Sequence, residues 1–180
     1  MKRFAPTALM LGNIVMGCSV MAPAGMLPEL SDGLGVSVSA AGLLITFGAV
    51  VLCIGSPLTA WLTSRIDRRT LLAAALLVLA VTNIASAFAP DFTGLLVIRL
   101  IMLAVGALYT PQAAGTAALI VPEQKRGSTI AYIFVGWSLA AAIGLPLITF
   151  AASRYGWRVA YGGIGALGFV SVARGGCRAG

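Results

Sequence analysis

The sequence predicts an all-α fold, a polytopic membrane bundle of about six transmembrane helices. Three observations predict it. Of 180 residues, 59% are hydrophobic and 9% charged, whereas a soluble domain carries about 25% charged residues to coat its surface. The apolar residues gather into long runs near the roughly 20 residues that cross a bilayer as a helix. Nearly all the charge sits in the short connectors "PELSDGLG", "SRIDRR", "PD", "PEQKRG" and "SRYGWR".

The first run spans Thr7–Leu27 and follows Lys2 and Arg3. A secretory signal peptide opens the same way, and "VMGC" ending at Cys18 faintly matches a lipoprotein cleavage box. The run continues past Cys18 to Leu27, which fits a retained helix better. The second run is Ala40–Thr63, the third Thr70–Ala89, the fourth Phe92–Val121 and the fifth Ile130–Ala152. The sixth begins near Val159 and gives way near Ala173 to "RGGCRAG". Its length of about 15 residues is short for a span. The expectation is one bundle over 1–173, its sixth helix short or truncated, and a non-helical tail over 174–180.

Basic residues in the loops set orientation. Lys2, Arg3, Arg65, Arg68, Arg69, Lys125 and Arg126 fall on one side; the other carries Glu29, Asp32 and Asp91 with Arg154 and Arg158. The amino terminus is therefore expected in the cytoplasm. The net charge of +7 is membrane-flanking charge, not a nucleic-acid footprint, because the cations sit in small clusters between apolar runs.

Composition also excludes chemistry. The chain has no histidine, so Ser-His or Cys-His nucleophiles and HExxH zinc sites cannot be built. Cys18, Cys53 and Cys177 are far apart, with no CxxC spacing, which supports neither a disulfide framework nor a metal site. No enzyme activity, catalytic residue, cofactor or metal is expected.

Two stretches echo each other. "IGSPLTAWLTSR" (Ile54–Arg65) and "IGLPLITFAASR" (Ile143–Arg154) share Ile, Gly, Pro, Leu, Ser and Arg. They end the second and fifth runs, which cross in opposite directions. An inverted three-plus-three repeat, as in secondary transporters, would look like this; chance similarity between two Gly/Pro-bearing apolar helices is the alternative.

Several stretches together resemble the major facilitator superfamily, in its bacterial drug:proton antiporter branch and most closely the arabinose-efflux-like permeases. "MLPELSDGLGVSVSAAG" (Met26–Gly42) resembles the end of that group's first helix and the entry to the second. "GLPLITFAASRYGWRVAY" (Gly144–Tyr161) resembles the antiporter motif of the fifth helix and the turn after it, with Gly136, Gly144 and Pro146 on the motif helix. "AWLTSRIDRRTLL" (Ala60–Leu72) occupies the place of the signature loop. There Ala60, Ser64 and Asp67 replace the pattern's Gly, Asp and Gly, while Arg65, Arg68 and Arg69 remain. The gating carboxylate is missing or displaced to Asp67. The family has two six-helix halves, and this chain resembles the first.

The resemblance implies a bacterial inner-membrane, multi-pass permease that exports a small organic solute, drug or sugar, as protons enter. It implies partners as well: the solute, protons, the lipid bilayer, and a second transporter half or a homodimer. A non-transporting scaffold or sensor, or an inactive fragment, is the rival.

One residue carries the mechanism. "LLVIRLIML" (Leu95–Leu103) is apolar except for Arg99. An arginine at a helix centre costs about 2.5–3.5 kcal/mol on insertion scales. Either its head snorkels to the interface or it faces the bundle interior among polar partners. The resemblance favours the interior, since Arg99 sits where the family carries its proton-coupling arginine. Arginine hardly titrates, so its role would be to hold a carboxylate charged. The spans contain none at mid-depth; Glu29 is the candidate, with a solvated loop acid as its plainer reading. Asn13, Gln112 and Tyr109 are candidate substrate contacts, and interhelical hydrogen bonding accounts for them equally well. Tyr132, Trp137 and Ser138 are further polar or amphipathic residues within the runs.

Overall fold

A computed structural model describes residues 5–62 and 66–176. Nine α-helices are present among them: α1 (Ala5–Gly25), α2 (Leu27–Leu34), α3 (Val38–Leu62), α4 (Arg68–Ala87), α5 (Phe92–Gly106), α6 (Tyr109–Ile120), α7 (Arg126–Leu139), α8 (Leu145–Tyr155) and α9 (Trp157–Gly176). Among the described residues, five stretches are long and apolar enough to cross a membrane: Pro6–Gly25, Val38–Thr59, Thr70–Ala87, Phe92–Ile120 and Glu123–Tyr155. At the place of the sixth expected run, α9 has 20 residues, or about 30 Å at 1.5 Å per residue; it is not among those five stretches. It begins before Val159 and runs past Ala173, so it is longer than its apolar run. Residues 177–180 of the expected tail lie outside the described residues.

Sequence chemistry sets the ends of the helices. Asp67 caps α4, its carboxylate accepting from the Thr70 backbone N–H at 3.0 Å and from the Thr70 hydroxyl at 3.1 Å. Asp91 caps α5, accepting from Gly94 N–H at 2.7 Å. Such caps satisfy backbone donors that a first turn leaves open. Gly35 closes α2 at φ 64°, and Gly156 turns the chain between α8 and α9 at φ 88°; a side chain at either would be strained.

Two spans expected as single helices are interrupted. The fourth breaks between α5 and α6. Pro111 has no N–H for the Ala107 carbonyl four residues back, and the Ser56 hydroxyl donates to that carbonyl instead, at 3.3 Å. The fifth widens into a π-helical turn over Ala140–Gly144 between α7 and α8.

The main span pairings have the pattern that a repeat of three spans gives. The first packs on the fifth and the second on the fourth; the first and sixth pack together, as do the third and fourth; the first–fifth and third–sixth interfaces are both extensive. Exchanging spans 1, 2 and 3 with 4, 5 and 6 leaves these pairings unchanged, while the fifth also packs on the sixth without an equal second–third contact. The register agrees. A Cβ built on Gly55 would lie 3.2 Å from Ala107 Cβ, and one on Gly144 would lie 2.6 Å from Cys18 Sγ. The shift that carries Gly55 onto Gly144 also carries Cys18 onto Ala107. The echoed glycines thus make the same close helix contact in each repeat.

The first span is central and the second and fifth are peripheral, with 56%, 17% and 22% of their apolar cores buried. Ile54 and Leu58 of α3 and Leu147 and Phe150 of α8 are exposed.

Candidate functional site

Arg99 faces inward. It is 1% exposed, which removes the snorkelling alternative. Its Nε donates to Leu44 O at 2.9 Å, Nη1 to Ser19 O at 3.0 Å and Nη2 to Val20 O at 2.8 Å. The first acceptor is on α3, the others on α1. Proline explains one of them. Pro23, inside α1, has no N–H for the carbonyl of Ser19 four residues earlier. The guanidinium satisfies that orphan acceptor and so binds the α1 bend to α5. Gly48 lets α3 approach: a Cβ built there would lie 2.6 Å from Leu103 Cδ1 and 3.7 Å from Arg99 Nε.

Polar residues from two more spans gather around this contact. Ser19 is fully buried, and its hydroxyl donates to Val15 O at 2.8 Å. Asn83 of α4, also fully buried, donates from Nδ2 to Ser19 Oγ at 2.9 Å and to Leu79 O at 2.7 Å. Tyr161 of α9 is fully buried and lies close enough to Arg99 for the two to interact. Among the described residues, neither its hydroxyl nor Asn83 Oδ1 makes a hydrogen bond of good geometry.

A second polar set lies nearer the other end of the bundle. Asn13 Nδ2 donates to Ile133 O at 3.2 Å, Thr110 Oγ1 donates to Asn13 Oδ1 at 3.0 Å, and Trp137 Nε1 donates to Thr110 Oγ1 at 3.4 Å. The Tyr109 hydroxyl donates to Leu9 O at 3.4 Å. This set joins the first, fourth and fifth spans. Asn13 and Tyr109 are withdrawn from every surface, at 0% and 1% exposed, whereas Gln112 and Trp137 are partly exposed. Of the three candidate substrate contacts, the structure therefore leaves Gln112 at a surface and turns the other two to interhelical bonding.

The antiporter-motif helix supplies the close contacts. A Cβ on Gly136 would lie 2.5 Å from Met10 O and 2.9 Å from Asn13 Cβ, so only glycine fits there. Gly144 accommodates Cys18, and Pro146 lies in the first turn of α8, directly after the π-helical turn. The Gly-Trp-Arg turn that follows ties connectors together. Trp157 packs on Gly33 of α2. Arg158 stacks 4.3 Å from the Trp157 ring centroid and donates from Nη2 to Ala89 O at 3.1 Å.

In the basic loop, Asp67 is the helix cap described above. Arg68 is exposed, and its Nη1 would lie 3.0 Å from a Cβ built on Gly115, so it lies across α6. Arg65 and the side chain of Arg69 lie outside the described residues.

Glu29 stands one turn before Gly33 on α2. It is half-buried, and its Oε2 is buried with no hydrogen-bond partner among the described residues. The structure does not bring it into hydrogen-bond contact with Arg99, whose bonds among the described residues go to the three carbonyls. Sequence reasoning expected a carboxylate there and missed Ser19, Asn83, Thr110 and Tyr161. Pro23 was the available signal for Ser19; a neutral polar residue inside an apolar run gives no comparable signal for the others.

Comparison with known proteins places this arrangement. The family model described as Major Facilitator Superfamily matches residues 9–175. The chain is 33% identical over 165 residues to the inner membrane transport protein YdhP of Escherichia coli (strain K12), covering 92% of this chain and 42% of that protein. It is 31% identical over 146 residues to a chloramphenicol resistance protein of Streptomyces lividans, covering 81% and 37%. A crystal structure of the peptide transporter POT in complex with alafosfalin shares the fold with a TM-score of 0.82 at 16% identity, over 94% of this chain and 37% of that one. The chain spans less than half the length of the curated relatives it matches.

Proposed function

The chain belongs to the Major Facilitator Superfamily, and on that premise we propose that it is the amino-terminal half of an inner-membrane permease that exports a small organic solute as protons enter. The mechanism is alternating access, one half rocking against another about a central site. Arg99 carries this reading: a buried guanidinium with carbonyl partners and no bonded carboxylate fixes the bend of α1 without being neutralised.

In this mechanism Glu29 is the proton-carrying group. Its Oε2 is buried and makes no hydrogen bond among the described residues, which supports this choice of carboxylate. Gln112, with Trp137 beside the Asn13 set, offers the solute-facing polar contact; Asn13 and Tyr109 position these residues from behind. The amino terminus is cytoplasmic, and the loop with Arg65, Asp67, Arg68 and Arg69 closes that side. Gly136, Gly144 and Pro146 let the fifth span pack tightly on the first while the halves move. The exposed apolar faces of the second and fifth spans, at Ile54, Leu58, Leu147 and Phe150, meet the second half or a second copy.

The test is solute flux in proteoliposomes holding the chain with a second half supplied. An imposed proton gradient should drive solute movement. Arg99→Ala should abolish it while leaving membrane insertion intact. Normal flux from Arg99→Ala would overturn the coupling role. The second reading, an inactive fragment or scaffold, is favoured if the wild-type pair moves no solute.

A further inference from the structure

Arg99 is held by acceptors on α1 and α3, and one buried group from α9 stands beside it. The Tyr161 hydroxyl lies close to the guanidinium without a well-formed hydrogen bond. Leu95, one turn before Arg99 on α5, and Leu44, whose carbonyl takes Arg99 Nε, share an apolar cluster with Tyr161 and Trp157.

Tyr161 is connected in turn to α2. Trp157 and Tyr161 stand one turn apart on the same face of α9. They meet edge to face, with ring centroids 6.2 Å apart and planes at 90°. The indole also presses on α2: a Cβ built on Gly33 would lie 2.3 Å from Trp157 Nε1 and 2.9 Å from its Cδ1. The Arg158 guanidinium, 4.3 Å from the Trp157 ring centroid and bonded to Ala89 O, covers the ring. Trp157 is 4% exposed and Tyr161 0%. At the packing density of a protein interior such rings have no slack, so a displacement at one is felt at the next. Glu29, the proposed proton carrier, lies one turn before Gly33 on α2.

We propose that Trp157 and Tyr161 are positioning residues that transmit the placement of α2 to Arg99. A shift of α2 at Gly33 moves the indole, the indole moves the phenol ring, and the hydroxyl gains or loses its bond to the guanidinium. The consequence for transport rests on Arg99 and Glu29 being the coupling pair; the linkage itself does not.

Magnetic resonance of the full chain in nanodiscs, with isotope-labelled arginine and tryptophan, tests it. Arg99 is the buried arginine among the described residues, so its Nε–H is recognised by slow exchange and by its loss in Arg99→Lys. Gly33→Ala should shift the Arg99 signal. Trp157→Leu should shift it more than Trp157→Phe, which keeps a ring against Tyr161. In a Tyr161→Phe chain, adding Gly33→Ala or Trp157→Leu should move the signal no further, because the hydroxyl is gone. The Trp137 indole, bonded to Thr110 in the other polar set, should stay in place throughout. If Gly33→Ala does not fold, the two Trp157 variants with and without the Tyr161 hydroxyl decide. An Arg99 signal unmoved by these substitutions would overturn the inference. So would an equal shift in the Tyr161→Phe chain, or a Trp137 signal that moves with Arg99, the mark of general repacking. In the flux assay, Trp157→Leu should lower proton-driven movement several-fold and Trp157→Phe should retain most of it. A shifted Arg99 signal with unchanged flux would leave the linkage standing and overturn the coupling role of Arg99.

Discussion

The two buried polar sets differ in how fully they are bonded. The Asn13 set links the first, fourth and fifth spans, and both polar atoms of the Asn13 amide are engaged. The Arg99 set links the first, second, third and fourth spans, with Tyr161 of the sixth beside them, and leaves two buried oxygens open. A closed set fixes how helices pack. An open one carries a standing cost that packing elsewhere must offset. The difference separates a part of the bundle whose polar groups are fully paired from one whose polar groups are not.

Substitutions can break this contrast, starting where the loss is greatest. Arg99→Ala should destabilise the bundle by about 3 kcal/mol, since it strands acceptors on two helices. Steric-trap unfolding in bicelles measures this. Arg99→Lys should recover little of it, because one ammonium cannot fork to three carbonyls. Adding Pro23→Ala to the Arg99→Ala chain should regain about 1 kcal/mol, as the restored N–H at position 23 satisfies Ser19 O. Simple additivity in that double-mutant cycle would refute the account of the orphan carbonyl.

Gly136→Ala strikes the closed set. It should cost about 2 kcal/mol, because the new methyl meets the Met10 carbonyl, while Gly55→Ala should cost under about 1 kcal/mol, its nearest contact being a looser one to another methyl. Equal losses in the same unfolding assay would argue against a rigid first–fifth interface. The finest test compares Asn13→Leu with Tyr161→Phe. The former breaks engaged hydrogen bonds and should cost about 1 kcal/mol; the latter removes a hydroxyl that lies near Arg99 without a well-formed hydrogen bond and should stay within about 0.5 kcal/mol. A reversed order would mean that the open and closed sets have been misassigned.

Much of the architecture was legible in the residues. The apolar runs located the spans, and the Gly-Pro echo located the repeat, because close helix contact demands small residues wherever it recurs. Arg99 announced itself as the one charge in its run. Its partners did not, since a backbone carbonyl has no letter in a sequence; only Pro23 marked where an acceptor was freed. The break in the fourth span was signalled in the same way by Pro111 and passed over, because its neighbours are apolar enough to read as continuous helix. Asn83 and Tyr161 became informative only once packing set one beside Ser19 and the other beside Arg99.

The π-helical turn over Ala140–Gly144 has a consequence for how this chain tolerates change in length. Such a turn absorbs one surplus residue locally, without altering the helix on either side. Deleting a single residue from it should leave Gly136 still facing Met10 and Ile148 still in the core. The same deletion within α1 would rotate everything beyond it by about 100° and swing Ser19 away from the guanidinium. The fifth span therefore contains a spare position, and the first has none.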